Sequence, residues 1–436
     1  MSAEIRLPGR SEPLLIADPG WARGYPPPVS RSVYAAAHVA ARPGGEIDWE
    51  STLGFRDFLW DYGFGVAEAM DTAQRGMGLS WPQAQELIAR SAARAAERGT
   101  VIAAGAGTDQ LPPGEHSLGE IAAAYEEQLD LVQSAGAGVI LMASRALAAA
   151  ARSGQDYLEV YLHLLRQADR PVILHWLGTA FDRALAGYWG STGFDAAADL
   201  VVRLAECAGG KVGGIKLSVL DARQEVALRR RLPPGVRLYT GDDFHYDKLI
   251  RGDAGRGLPA DGGAASAAAG HSAAAGQSAA AGHSAAAGHS AAAGHSAAAG
   301  QSAAAGQSAA AGHSAAAGHS DALLGAFAAV TAPAAAALQA LDAGDLPGYD
   351  AAIGPTIALS QKIFEPPTFH YKVGVAFLAW LNGLQPCFAM LGNLQQQRTP
   401  GHLIQVFELA ARAGALLEPD LAVGRMTEYL AAAIPP

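Results

Sequence analysis

Eight short β-prone runs, separated by longer stretches of helical periodicity, constrain this chain more than anything else in it. SVYAAAHVA (32–40), FGVAEAM (64–70), TVIAAGAG (100–107), GVILMAS (138–144), PVILHW (171–176), VGGIKLS (212–218) and VRLYTG (236–241) are each followed by a helical segment, among them WPQAQELIARSAARAAE and LGEIAAAYEEQLDLVQSAG. Strands joined by helical crossovers run parallel, because each crossover returns the chain to the same end of the sheet. LLGAFAAV (323–330) supplies an eighth strand, so the pattern predicts an α/β fold, a (β/α)8 TIM barrel. The open doubly wound sheet competes, but its G-x-G-x-x-G phosphate loop is missing. After the first strand the chain reads AAAHVAARPGGEID, and GAGTDQ (105–110) holds only a G-x-G.

The alternation is interrupted once. From His271 to Gly318 the hexamer H/Q-S-A-A-A-G repeats eight times. Six residues advance a helix by about 600°, so successive histidines leave any common face. Each glycine costs a helix about 1 kcal/mol, and nothing large and apolar is available to bury. The repeat reads as a low-complexity, mostly disordered insert rather than a metal site. It falls between helix 7 and strand 8, at the rim opposite the face where barrel active sites lie. The expected organisation is an N-terminal extension (1–30), barrel strands 1 to 7 (31–256), the insert (257–320), the strand 8 region (321–335) and a C-terminal helical extension (336–436).

A net charge of −10 and a pI near 5.7 argue against nucleic acid or an anionic membrane as partner, since both need a basic field. MSAEIRLPGRSEPLLIADPGW has no cationic segment leading into an apolar stretch, and nowhere do about 18 apolar residues run together, so a cytoplasmic location is expected. Cys207 and Cys387 lack any C-x-x-C spacing and read as small buried hydrophobes. A small-molecule substrate is the partner this composition suits.

Lysine is scarce: only Lys211, Lys216, Lys248, Lys362 and Lys372 occur. Lys216 stands inside an apolar run, where an ammonium is costly to bury. Strand alternation turns Ile215 and Leu217 toward the helices and Gly214, Lys216 and Ser218 toward the barrel axis, with Gly214 leaving a hole beside the lysine. An amine desolvated there has a lowered pKa and attacks carbonyls, which is Schiff-base chemistry. The bland alternative is a lysine that snorkels out or pairs with Asp242 or Asp243.

GGIKLS, PVILHW, TVIAAGAG and LYTGDD, with EIDWESTLGFRDFLWDYG and YKVGVAFLAWLNG, resemble the dihydrodipicolinate synthase and N-acetylneuraminate lyase superfamily of class I aldolases, in an uncharacterised branch. The resemblance implies that Lys216 forms an imine with a 2-oxo acid, and that the chain assembles as a dimer or tetramer. It also shows departures. The family's G-T-T-G-E carboxylate-binding loop is replaced by EAMDTAQRGMG (68–78), where Thr72 stands in. The family's relay tyrosine is replaced by His175, which titrates near neutral pH when unperturbed. Ser144 and Arg145 occupy the place of a tyrosine pair, and Arg145 is able to hold a carboxylate through its fork.

His38, Glu68, Asp71, Asp109, Asp242 and Asp243 follow strand ends and are expected at one rim. The expected site is therefore Lys216 and His175 as catalytic groups, with His38, Asp71, Thr72, Ser144, Arg145, Asp242 and Asp243 around the substrate, and neither metal nor cofactor. Two other readings compete. His38, Glu68, His175 and Asp242 grouped on a divalent metal would make a metal-dependent hydrolase or isomerase, though no H-x-H or H-E-x-x-H spacing supports it. Loss of the G-T-T-G-E loop suits a non-catalytic binding barrel.

Overall fold

The computed structural model describes residues 2–252 and 318–433. It begins with an antiparallel hairpin, β1 (Ser2–Ile5) and β2 (Leu14–Ala17). Ala3, Ile5, Leu14 and Ile16 are buried while Glu4 and Leu15 face outward, the period-two pattern of a strand pair covered on one side.

The repeating part follows as β3 (Val33–Ala36), α1 (Trp49–Asp61), β4 (Gly65–Glu68), α2 (Trp81–Arg98), β5 (Ile102–Ala106), α3 (Leu118–Ser134), β6 (Gly138–Leu141), α4 (Arg145–Ala150), α5 (Gly154–Gln167), β7 (Val172–Leu177), α6 (Phe194–Cys207), β8 (Val212–Ser218), α7 (Ala222–Arg229), β9 (Arg237–Thr240), α8 (Tyr246–Arg251) and β10 (Asp321–Leu324). β3 to β10 close a parallel barrel in the order β10-β3-β4-β5-β6-β7-β8-β9, so the (β/α)8 expectation holds. Helix starts follow from local chemistry. Ser80 with Gln83 and Ser117 with Glu120 form capping boxes at α2 and α3, and Gly99 ends α2 in the left-handed region.

The eighth strand is shorter than its apolar run. It stops at Leu324, and Ala326–Ala328 form a single 3-10 turn leading into the helix Thr331–Asp342. Every residue from Ser320 to Ala335 is buried, so hydrophobicity could not separate strand from turn there.

Alternate residues fill the barrel axis. Ala36, Ala67 and Ala103 lie on one side and Ile140, Ile173, Tyr239 and Leu323 on the other. The hole expected beside Lys216 is absent: a Cβ on Gly214 would fall 2.5 Å from Cε2 of Tyr239. The glycine accommodates a tyrosine ring on the next strand.

The hexamer repeats lie outside the described residues. Their flanks meet at the entry to β10, where a Cβ on Gly252 would fall 2.7 Å from Cβ of His319 and Ser320 N donates to Leu249 O at 2.9 Å. Cys207 is exposed at the end of α6, contrary to expectation, and Cys387 is partly buried. Among the described residues no helix is long and apolar enough to cross a membrane.

The C-terminal helices Leu346–Ile363, Lys372–Leu381, Pro400–Arg412 and Pro419–Ala433 follow. Lys372–Leu381 is buried along its whole length, as a helix apolar on all sides must be.

Candidate active site

β8 runs in register with both neighbours, so Lys216 lies between His175 on β7 and Tyr239 on β9. All three point into the barrel, near the C-terminal strand ends where barrel enzymes carry their chemistry. A glycine follows β9 because a Cβ on Gly241 would collide with Ser218 Oγ and the Leu217 carbonyl oxygen, and would stand 3.1 Å from Cε of Lys216. Lys216 keeps 8% of its surface exposed, and among the described residues its ammonium has no hydrogen bond and no carboxylate within 4.0 Å. Burial pushes its pKa well below the ordinary lysine value, opposed by the charges of Asp243 and Asp71.

Asp243 is the first of those carboxyls. Its Oδ1 accepts Ala326 N at 3.1 Å and its carbonyl accepts the Ser360 hydroxyl at 2.6 Å, which pins it between the turn after β10 and the C-terminal helix Leu346–Ile363. Burial raises its pKa, against the pull of Lys216. Asp71 is the second. It opens a short 3-10 turn, Asp71–Ala73, and accepts Nζ of Lys372 at 2.9 Å. Lys372 has no exposed side-chain surface, donates also to Phe369 O at 3.0 Å, and sits 4.5 Å from the ring centre of Tyr371. Burial lowers its pKa while Asp71 holds it up.

Thr72 turns its hydroxyl to that of Tyr371, 2.6 Å away. Tyr371 stacks on Phe364 with centroids 4.3 Å apart, and Phe181 meets its edge at 6.2 Å. The two stacked rings use space at the end of β10, where a Cβ on Gly325 would come within 3.0 Å of Tyr371 Cε2 and 3.4 Å of Phe364 Cζ. Burial and the neighbouring Asp71 raise the Tyr371 pKa well above 10, so its hydroxyl keeps its proton. Tyr371 and Lys372 therefore complete the mouth from the far end of the chain.

His175 belongs to the site but does not titrate as expected. Its Nε2 is 3.4 Å from Ser218 Oγ, its Nδ1 is buried without a partner, and burial beside Lys216 holds its pKa well below the usual histidine value. It is a neutral imidazole at neutral pH.

Four expected site residues are engaged elsewhere. His38 bonds through Nε2 to Gln385 Oε1 at 2.8 Å, and burial takes its pKa down to about 4. Ser144 caps α4 by accepting Leu147 N at 3.0 Å and shares a 2.6 Å bond with Thr108. Arg145 is 61% exposed and pairs with Asp182. Asp242 accepts Phe244 N at 2.8 Å and His245 Nδ1 at 3.0 Å, so it shapes the turn into α8. Glu68 is held by Arg56 and Asp109 by Arg75, both through charge-assisted bonds. Consequently His38, Glu68, His175 and Asp242 do not converge, and among the described residues no group of three His, Cys, Asp or Glu side chains is placed to hold a metal ion.

Lys216, His175, Asp71, Thr72 and Asp243 do come together. Sequence reasoning missed Tyr371 and Lys372, yet a signal existed: YKVGVAFLAWL is apolar on every face, so a lysine at its start cannot reach water.

The family model described as "Protein of unknown function (DUF993)" matches residues 9–297 and 309–434. No curated protein matches the sequence. Solved structures share the fold. A dihydrodipicolinate synthase from Bacillus anthracis is 14% identical, with 87% of this chain and 98% of that one covered at a TM-score of 0.55. The chloride-inhibited enzyme of that name from Acinetobacter baumannii, complexed with pyruvate, gives 15%, 89%, 99% and 0.56. YagE, a prophage protein of the dihydrodipicolinic acid synthase family from E. coli K12 in complex with pyruvate, gives 13%, 88%, 98% and 0.56.

Proposed function

We propose that this chain, which belongs to the DUF993 family, is a Schiff-base-forming lyase or aldolase that makes or breaks a carbon–carbon bond beside a carbonyl group. The observation that carries the reading is Lys216: an amine inside a barrel, at the catalytic end, buried without a partner and thereby biased toward its neutral, nucleophilic form. A lysine serving stability would be paired, since an unpaired buried ammonium only costs the fold. The shared fold with dihydrodipicolinate synthases supports the general kind of chemistry.

In this reading the Lys216 nitrogen donates its lone pair to the carbonyl carbon, the carbonyl π pair moves to oxygen, which takes a proton, and the nitrogen gives one up to leave a neutral carbinolamine. A second proton lets that oxygen leave as water, giving an iminium. Cleavage of the neighbouring carbon–carbon bond sends its electron pair into the iminium to form an enamine, while a base removes the proton of the β-hydroxyl. Asp243, whose carboxyl is pushed toward the protonated form, and Tyr371, bonded to Thr72, are the groups disposed to carry these protons. His175, neutral and flanking Lys216, serves as a hydrogen-bond partner rather than as an imidazolium acid.

The test is trapping. Carbonyl compounds incubated with the protein and borohydride should leave a stable secondary amine, seen by intact mass as the mass of the compound less one oxygen. Peptide mapping should find it on Lys216, and Lys216→Ala should abolish it in a folded protein. An adduct of undiminished yield in Lys216→Ala, or one mapped to Lys372, removes the assignment.

A further inference from the structure

We infer that Arg398, which stands just before the helix Pro400–Arg412, is a positioning residue of this site: it holds the backbone of residues 363–367 and through it sets Tyr371 and Lys372 at the mouth. The inference rests on the Schiff-base reading and concerns how the far end of the chain is made to complete the site.

Residues 363–367, IFEPP, carry more acceptors than donors. Ile363 ends the helix Leu346–Ile363, so its carbonyl is among the last that find no partner inside a helix, at the negative end of the dipole. Pro366 and Pro367 add carbonyls but no N–H. Arg398 supplies what is missing. One Nη donates to Pro366 O at 3.3 Å, and the other faces Glu365 O at 2.6 Å, Pro367 O at 3.2 Å and Ile363 O at 3.3 Å. The side chain is buried, and its Nε is left without a partner, so one hydrogen bond is given up to bring both Nη atoms onto those carbonyls. The nearby Glu365 carboxylate is taken instead by Lys362 and His402. A planar fork with five donors suits four carbonyls of one short segment, and the compact ammonium of a lysine does not.

The clamped segment bears on the site through three contacts. Phe364 stacks on Tyr371 with centroids 4.3 Å apart and planes 12° from parallel. Ile363 presses on Gly374, where a Cβ would fall 2.9 Å from Ile363 Cγ1. Pro367 O accepts His370 N at 3.0 Å and so starts the 3-10 turn Thr368–Tyr371. Tyr371 and Lys372 lie between these supports, and from there they reach Thr72 and Asp71. Without the guanidinium, four carbonyls lose donors at once and the segment is free to shift. A displacement of about 1 Å at the mouth is enough to slow the chemistry by roughly a hundredfold.

The experiment is a double-variant cycle on the intact protein, read as the rate of Lys216 labelling by pyruvate and by hydroxyacetone, with borohydride in excess so that imine formation limits. Arg398→Ala and Tyr371→Phe should each slow labelling about tenfold or more, and the double variant should be no slower than the slower single, because both act through one path. Ethylguanidine, which replaces the missing fork, should restore the rate in Arg398→Ala and not in Tyr371→Phe. Acetic anhydride should modify Lys372 in Arg398→Ala but leave it untouched in the parent. Should Arg398→Ala fail to fold, Arg398→Lys carries the same cycle, with a loss in the same direction. Additive losses, or a folded Arg398 variant that labels at the parent rate, overturn the inference and leave the Schiff-base reading standing. No label on Lys216 of the parent from either probe overturns both.

Discussion

Two buried charges sit at the same rim of this barrel and are treated in opposite ways. On the β3–β4 side, Arg56 and Glu68 have no exposed side-chain surface and meet through two 2.8 Å bonds. The remaining Arg56 nitrogen donates to the carbonyls of Thr52 and His38, and Glu68 also accepts Ala69 N at 2.8 Å, which helps hold Ala69 at its positive φ of 49°. Nothing in that cluster is left over. On the β7–β9 side Lys216 has no hydrogen bond and no carboxylate within 4.0 Å among the described residues, and feels only the more distant charges of Asp243 and Asp71. The fully paired cluster ties strand ends together, whereas the unpaired amine lowers stability and makes sense only through what it does. Burial of a charge is thus uninformative about function until its partners are counted.

The largest expected effect separates the two clusters directly. Arg56→Met leaves Glu68 buried and unpaired and should cost about 3–5 kcal/mol. Lys216→Met removes a desolvation penalty and fills similar volume, so its denaturation midpoint should equal or exceed that of the parent. Urea unfolding of the two variants side by side checks both. Equal losses would mean that Lys216 is structural and would dissolve the distinction.

A smaller effect is expected in acid. Each cluster contains a buried histidine, His38 at about 4 and His175 well below its usual value. Both take up protons in the unfolded chain as pH falls below about 6.5 while staying neutral in the fold, so stability is present above that pH and drains away toward pH 4. His38→Gln keeps a donor for Gln385 and should recover on the order of 1–3 kcal/mol at pH 4 while changing little at pH 8. Melting temperatures of parent and variant across pH 4 to 8 read this out. Parallel curves would show that His38 carries no such linkage.

The same contrast explains how much was legible in the sequence. Strand phase alone pointed Lys216 inward, because VGGIKLS forms its strand over the full run and neighbours with β-branched and leucine side chains fix its register. Asp71, Thr72 and Asp243 followed from their positions just beyond strand ends, which a parallel barrel gathers at one rim. What escaped depends on distant partners. Thr72 meets Tyr371 across 299 positions, Asp71 meets Lys372 across 301, and His38 is diverted to Gln385 across 347. No local pattern encodes such pairs. Gly214 failed for the same reason: a missing side chain signals that something approaches, and only the fold shows that it is Tyr239.

The smallest expected effect concerns the opposite rim. Both clusters lie at the C-terminal ends of the strands, while the chain leaves α8 at Gly252 and returns through Gly318 at the N-terminal end of β10. The departing and returning segments are already in contact, Gly252 against His319 and Leu249 O bonded to Ser320 N. A short link therefore spans them without strain, and shortening the connection changes closure entropy only logarithmically. Joining Arg256 directly to His319 should shift the melting temperature by no more than about 2 °C and leave the Lys216 adduct at full yield. A fall far beyond that, or loss of the adduct, would reveal coupling between the two rims through the β9–β10 pair, and the open site would then owe its geometry to more than the strand ends around it.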